Sequence, residues 1–336
     1  MTFEAKTIGL LRGLESGGYA VDPTLTPASN GLMVRSFSHD EELSEVEKAR
    51  MGARPRAAGV SAGKYKSKWK SEIALQGPPA PAGGDPYPAP AWLSMLQICG
   101  MVLASTGTPV DTHTMVYDSR VAQQSMTFYH WFYQYGADEG LQRKLHGARA
   151  IHSWQVGINE EFLFTFEGEA LVGALSDLTN QTQPTYQAIA EADDAANGKS
   201  MTVTIGGVST HCTSIKFKSN RTITNRDSVQ AASGLLEVQT DVKPGANFEI
   251  EMDRELEIKA TRDDLADWLG EVKVAWEILI VTAGGMQFRA FGDRLQTGSF
   301  KRTAKDGVWR VDGKFFPCDS TTRGDNAITY EFKRAA

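Results

Sequence analysis

A chain of 336 residues with 41% hydrophobic and 23% charged side chains has apolar surface for sizeable cores without disulfides or metals, and its length predicts two domains. Its net charge of −6 is spread unevenly: residues 1–198 carry 15 Lys and Arg against 22 Asp and Glu, and residues 199–336 carry 20 against 19. Neither half has the basic surplus of a sequence-specific DNA-binding domain.

Residues 1–32 are rich in turn formers, with Pro23, Pro27 and the clusters at 22–24 and 27–30. They read as an extended arm with little core of its own. The stretch 38–54, SHDEELSEVEKARMGAR, is too polar for a buried helix and predicts an exposed loop or short helix. From Lys64 the chain alternates strictly. Tyr65, Ser67, Trp69, Ser71, Ile73 and Leu75 take one side, and Lys64, Lys66, Lys68, Lys70 and Glu72 the other. A period of two predicts a strand with one buried and one wet face.

Proline-rich residues 77–90 end that strand. PAWLSMLQICGMV (90–102) then places Trp92, Met95, Leu96 and Cys99 at helical spacing behind a proline start. MTFYHWFYQY (126–135), LQRKLHGARAIHSWQVGI (141–158) and EFLFTFEGEAL (161–171) read as strands. Polar residues 176–198, which run into DDAANGK (193–199), are the best linker. The expected domains are 1–180, an arm plus a first module, and 199–336, a second module, with 181–198 between them.

In the second half, MTVTIGG (201–207) and TSIKFKSNRTITNR (213–226) predict a hairpin around Ser219–Asn220. Residues 247–259 alternate again, with Phe248, Ile250, Met252, Leu256 and Ile258 opposed to Glu249, Glu251, Asp253, Glu255 and Glu257. RDDLADWLGEV (262–272) predicts a short helix with an acid-rich start that suits the helix dipole. Segments 276–285, 286–292, 296–317 and 327–332 supply the remaining strands. Both halves thus run long amphipathic strand, short helix, hairpin strands, which is a repeat of order more than of residues.

Chemistry-bearing motifs are missing. The three cysteines, Cys99, Cys212 and Cys318, form no CxxC pair and predict buried free thiols in a reducing compartment. His146 and His152 flank GARAI but match no zinc spacing. The acid pairs Glu160–Glu161 and Asp263–Asp264 fall at turns and helix starts, where carboxylates are solvated or capping. No GxSxG, HExxH, GxxxxGK[ST] or GxGxxG occurs, so neither catalytic residues, nor a metal site, nor a cofactor is expected. The aromatic run 128–135 reads as packing or as a sugar-stacking platform. The chain opens without a basic-then-apolar leader and holds no apolar run near ~20 residues, so no membrane insertion and a cytoplasmic site of synthesis are expected.

Several segments, in this order, resemble the major tail tube proteins of siphophages. They are LLRGLESGGYAVDPTLTPASNGLMVRSF (10–37), AGKYKSKWKSEIALQG (62–77) with PAWLSMLQICGM (90–101), LHGARAIHSWQVGINEEFLFTFEGEAL (145–171) and TIGGVSTHCTSIKFKSNRTITNR (204–226). The resemblance implies a mainly β fold of two tandem tail-tube-type β-sandwich or half-barrel modules. Each module has a short flanking α-helix and joins its neighbours into a continuous inner β-barrel. It implies a structural virion protein, assembled in the bacterial cytoplasm, that stacks as rings around a lumen for the tape measure protein and for transient, non-specific DNA. The implied partners are itself, the tape measure protein, and the tail terminator and baseplate or distal tail proteins.

With two modules per chain, a trimeric ring of pseudo-sixfold symmetry is expected, with a hexameric ring as the alternative. The lysine strand (Lys64, Lys66, Lys68, Lys70) and the acidic strand (Glu249, Glu251, Asp253, Glu255, Glu257) become candidate lumen or inter-module elements. Alternating in the wall, they would keep lysines from holding DNA. A carbohydrate- or receptor-binding β-sandwich of the tail tip, using aromatics 128–135, is the other reading.

Overall fold

The computed structural model describes residues 7–47, 60–81, 85–108, 110–118, 121–133, 139–158, 160–179, 184–189, 201–228, 235–241, 248–255, 262–305, 307–319 and 327–334. It is mainly β, built on one large antiparallel sheet, and that sheet does not close into a barrel within the chain.

In the first half the elements are β1 (Thr7–Leu14), α1 (Pro27–Asn30), β2 (Ser36–Glu47), β3 (Val60–Ala74), α2 (Leu93–Gln97), β4 (Met101–Gly107), β5 (Val110–Tyr117), β6 (Met126–Tyr133), β7 (Glu139–Gly157) and β8 (Leu163–Thr179). The second half holds β9 (Met201–Ile205), β10 (Val208–Thr210), β11 (Cys212–Ser219), β12 (Thr222–Asp227), β13 (Leu235–Asp241), β14 (Phe248–Glu255), α3 (Asp264–Leu269), β15 (Lys273–Val281), β16 (Met286–Lys305), β17 (Val308–Pro317) and β18 (Thr329–Arg334).

Four expectations are corrected. The polar stretch after residue 36 is a strand, not a loop or helix. As β2 it pairs along its length with β3, setting Asp40 opposite Lys68 and Glu42 opposite Lys66, and opposite charges in register stabilise such a pair. Residues 48–54 of that stretch lie outside the described residues. The N-terminal arm carries real core, since β1 pairs with β6 and buries Leu10 and Leu11. No hairpin forms at Ser219–Asn220: β11 pairs with β7 and β14, while β12 pairs with β13. Finally, 286–292 and 296–305 are one 20-residue strand, β16, which changes partners midway. The described part of the 181–198 segment is docked on the first half. Thr185 N–H donates to the Pro27 carbonyl at 2.8 Å, and Ala91 N–H to Gln187 Oε1 at 2.6 Å.

The main path of the sheet runs β2-β3-β8-β7-β11-β14-β17-β16, then β15-β9-β10. Its first eight strands are two blocks of four with the same order. Each reads first strand, second strand, then a long hairpin entered from its far side: β2-β3-β8-β7 and β11-β14-β17-β16. A helix follows the second strand in both, α2 after β3 and α3 after β14. The repeat of order read from the sequence is therefore present in the topology. The halves also interlock elsewhere, because β5 pairs with β18, which pairs with β16.

One apolar cluster spans both blocks, from Trp69 and Phe128 through Trp154, Phe164 and Phe217 to Phe288, Tyr330 and Phe332. A buried polar knot sits inside it. His152 Nε2 lies 2.8 Å from Tyr330 Oη, and the Trp154 indole N–H donates to the same oxygen at 3.1 Å. The Gly-Ala-Arg turn is a bulge in β7: Gly147 has φ +63°, and the Tyr19 ring lies where a Cβ would stand. Among the described residues no helix is long and apolar enough to cross a membrane.

Candidate assembly interface

The two blocks meet at a seam where β11 lies against the C-terminal half of β7, with Ser214–Lys218 in register with Gly157–Ser153. Residues in register share a face of the sheet, so faces can be followed across the seam. Glu72, Thr165, Ser153, Lys218 and Glu249 stand in one row over five strands. The opposite face of the same strands carries Trp69, Phe166, Trp154, Phe217 and Ile250, all buried. One face of the sheet is thus core and the other is polar from β3 to β14.

Charge on the polar face is neutralised strand by strand. The lysines of β3 lie between acids of β2 and β8. Lys66 Nζ is 2.7 Å from Glu169 and 3.6 Å from Glu42, Lys68 is 2.5 Å from Glu42, and Lys70 is 3.5 Å from Glu167. The acids of β14 lie between bases of β11 and β17. Glu249 is 2.8 Å from Lys314, Glu251 is 3.0 Å from Lys218, and Asp253 is 2.8 Å from Arg310. The Lys68 hydrogen bond holds the Glu42 carboxyl below its ordinary range, and the Lys218 hydrogen bond does the same for Glu251. The Glu249 hydrogen bond raises Lys314 in turn. These pairs are exposed enough that salt screens them, so they shape the potential of the face more than they add stability.

Both predicted charged strands therefore take the second position of their block, with their neighbours' signs reversed. Lys66, Lys68, Lys70, Glu249, Glu251 and Asp253 lie on the polar face. Glu255 closes β14, exposed, and pairs in register with Arg310. Lys64 lies on β3 with its side chain outside the described residues, and Glu257 is outside them altogether.

Among the described residues several strands keep an open edge, β10, β1 and β4 among them, and two of these edges belong to the two blocks. The outer edge of β2 ends the path. On β16, β15 occupies one edge as far as Gln296, and β18 followed by β17 occupies the other. Beyond Gln296 the β15 side of β16 has no ladder partner among the described residues. β7 is built the same way: β6 fills one edge up to Ala148, β8 fills the opposite edge, and β11 takes the C-terminal part of the β6 side. The open border of β16 is thus the counterpart of the border that β11 fills.

Sequence reasoning placed the helix α3 within 262–272 but missed both of these borders and the exposed apolar face of that helix. α3 buries Asp264, which is ion-paired with the fully buried Arg254 and lies 3.2 Å from Arg262. Asp263 caps the helix, accepting from Leu265 N–H and Ala266 N–H, as expected, but its neighbour is neither solvated nor capping. Leu265, Trp268 and Leu269 are exposed at 45%, 49% and 69%. α2, in contrast, buries Leu93 to Leu96. Arg254 was the legible clue, the one charged residue at an apolar beat of the β14 alternation.

The aromatics proposed as a stacking platform are interior: Phe128, Tyr129 and Trp131 are buried, so β6 offers no such surface through them, and residues 134–135 lie outside the described residues. Cys99 is buried, which pushes its thiol pKa up. Among the described residues no group of three or more His, Cys, Asp or Glu side chains could hold a metal. No protein-family model matches the chain, and no curated protein matches it.

Proposed function

We propose that this chain is a structural protein whose function is self-association, the major tail tube subunit of a long-tailed bacterial virus. The observation that carries the reading is the seam. Two blocks of identical strand order are joined edge to edge in one chain, and the edges left over at the two ends of the paired blocks, that of β2 and the part of β16 beyond Gln296, are of the kind the seam has already used. A soluble protein normally covers or shortens such borders, because an open edge invites pairing with another chain; repeated head-to-tail pairing closes a ring when the rotation allows.

In the proposed assembly three copies supply a pseudo-sixfold ring, the polar face lines a lumen, and stacked rings form the tube; a ring of six copies is the alternative. Lysines already paired with acids in their own block offer DNA little net attraction, which suits a wall past which DNA and a tape measure protein slide. The tail terminator and distal tail proteins follow as partners, the assembled virion as the location, and catalysis has no part. The ordered resemblance of segments 10–37, 62–101, 145–171 and 204–226 to tail tube proteins supports the same reading. Negative-stain electron microscopy of purified protein at rising concentration tests it. Hollow tubes are expected, and discrete particles at every concentration would count against it.

A further inference from the structure

Resting on that self-association reading, the geometry points to a specific junction: the edge of β2 in one copy, around residues 38–42, pairs antiparallel with residues 301–305 of β16 in the next copy, and that next copy's α3 is covered by the incoming chain. The internal seam is the template. There a first strand, β11, fills the C-terminal edge of a third strand, β7. Between copies the first strand without an outer partner is β2, and the third strand with the equivalent edge open is β16.

Charge agrees with the match. The β2 segment presents the exposed Asp40, while Glu41 beside it is already ion-paired with Arg143 of its own chain, and the β16 segment presents Lys301 and Arg302, also exposed. Opposed acidic and basic edges favour this pairing and disfavour β2 on β2 or β16 on β16. Head-to-tail order follows from that, as ring closure requires.

Helix α3 supplies the second observation. It lies along the open edge, with Arg262 donating to Thr297 Oγ1 at 3.2 Å and Arg302 3.9 Å from Asp263. In the internal seam the helix beside the filled edge is enclosed. Ala150 N–H donates to the Ile98 carbonyl just after α2, and Arg221, two residues past the end of β11, donates to the Cys99 carbonyl at 2.8 Å. The same approach by β2 of another copy covers Leu265, Trp268 and Leu269, an exposed apolar cluster of the kind that marks the centre of an interface.

The test uses the full chain and four variants, with folding checked by near-ultraviolet circular dichroism and assembly by sedimentation and electron microscopy. Asp40→Lys and the pair Lys301→Glu with Arg302→Glu should each raise the concentration needed for assembly roughly tenfold or more, and the three changes in one chain should restore it. Leu269→Arg should block assembly while the thermal midpoint stays put. If wild type forms tubes and the charge variants assemble as wild type does, the β2–β16 junction is overturned although the tube reading stands. If only Leu269→Arg has no effect, a different partner covers α3 and that part of the inference falls. Wild type that stays monomeric throughout removes the tube reading and this junction with it.

Discussion

Phe217 stands directly opposite Trp154 across the seam between the two blocks, and their rings stack with centroids 5.5 Å apart at 14°. Both are almost wholly buried, so the join between β7 and β11 is closed by core aromatics on one face and by Ser153, Gln155, Lys216 and Lys218 on the other. A seam of this kind is a fixed part of the fold.

It follows that Phe217→Ala destabilises the whole chain rather than one half. A buried Phe→Ala change costs about 3–5 kcal/mol, read as a lowered denaturant midpoint with a single transition. An unchanged midpoint, or loss of only the second block's signal, would show that the blocks fold independently.

Asp264 is the second sensitive point. It is 3% exposed and holds Arg254, which is fully buried and lies over the Phe315 ring, together with Arg262. Removing one partner of a buried pair strands the other charge, at about 3–5 kcal/mol. Asp264→Ala should therefore lower stability far more than Asp263→Ala, whose loss is that of a cap, about 1 kcal/mol. Urea titration of both variants ranks them, and equal effects would contradict the buried pairing.

Acid should weaken the fold before its carboxylates titrate. Burial holds the imidazoles of His130 and His152 down at about 3, against about 6.5 in an unfolded chain. Their folded values are depressed, so the stability they contribute is complete above pH ~6.5 and is lost as pH falls toward 3, where unfolding takes up protons. Near pH 5 most carboxylates remain ionised, and the slope there belongs mainly to the buried histidines, His39, His113 and His146 being held down by burial as well. Urea midpoints at pH 7, 6 and 5 should fall in that order; a flat profile would mean that the rings reach water in the folded state.

The polar face separates two kinds of lysine. Lys66 is 20% exposed and lies between Glu169 and Glu42, whereas Lys68 is 57% exposed. Lys66→Glu puts like charges together and should cost about 1 kcal/mol, while Lys68→Glu, at a more exposed position, should lower the thermal midpoint less. Scanning calorimetry at low and high salt distinguishes them, and the Lys66→Glu deficit should shrink with salt.

Much of this fold was legible wherever a strand has one wet face. The beats at 64–75 and 247–255 mark β3 and β14, and Phe162, Phe164 and Phe166 mark the start of β8, because alternation is a local consequence of the pleat. β2 was hidden because its edge position and its pairing with the lysines of β3 let a very acidic segment be a strand, and neither is a local property. The length of β16 was hidden by Gly292, which read as a break and instead lies within one strand that changes partners. Of the candidate interface, the charged strands could be read and the borders could not, since a free edge is defined by what fails to pair with it.

The central claim is that copies join edge to edge so that the polar face of the sheet surrounds a channel, and cryo-electron microscopy of the protein concentrated past its assembly threshold tests it most directly. The account predicts an uninterrupted β wall with Lys68, Lys70 and Glu251 turned toward the opening and β2 of each copy alongside β16 of its neighbour. A solitary particle with the β2 border in solvent, or an assembly whose polar face looks outward, would contradict it.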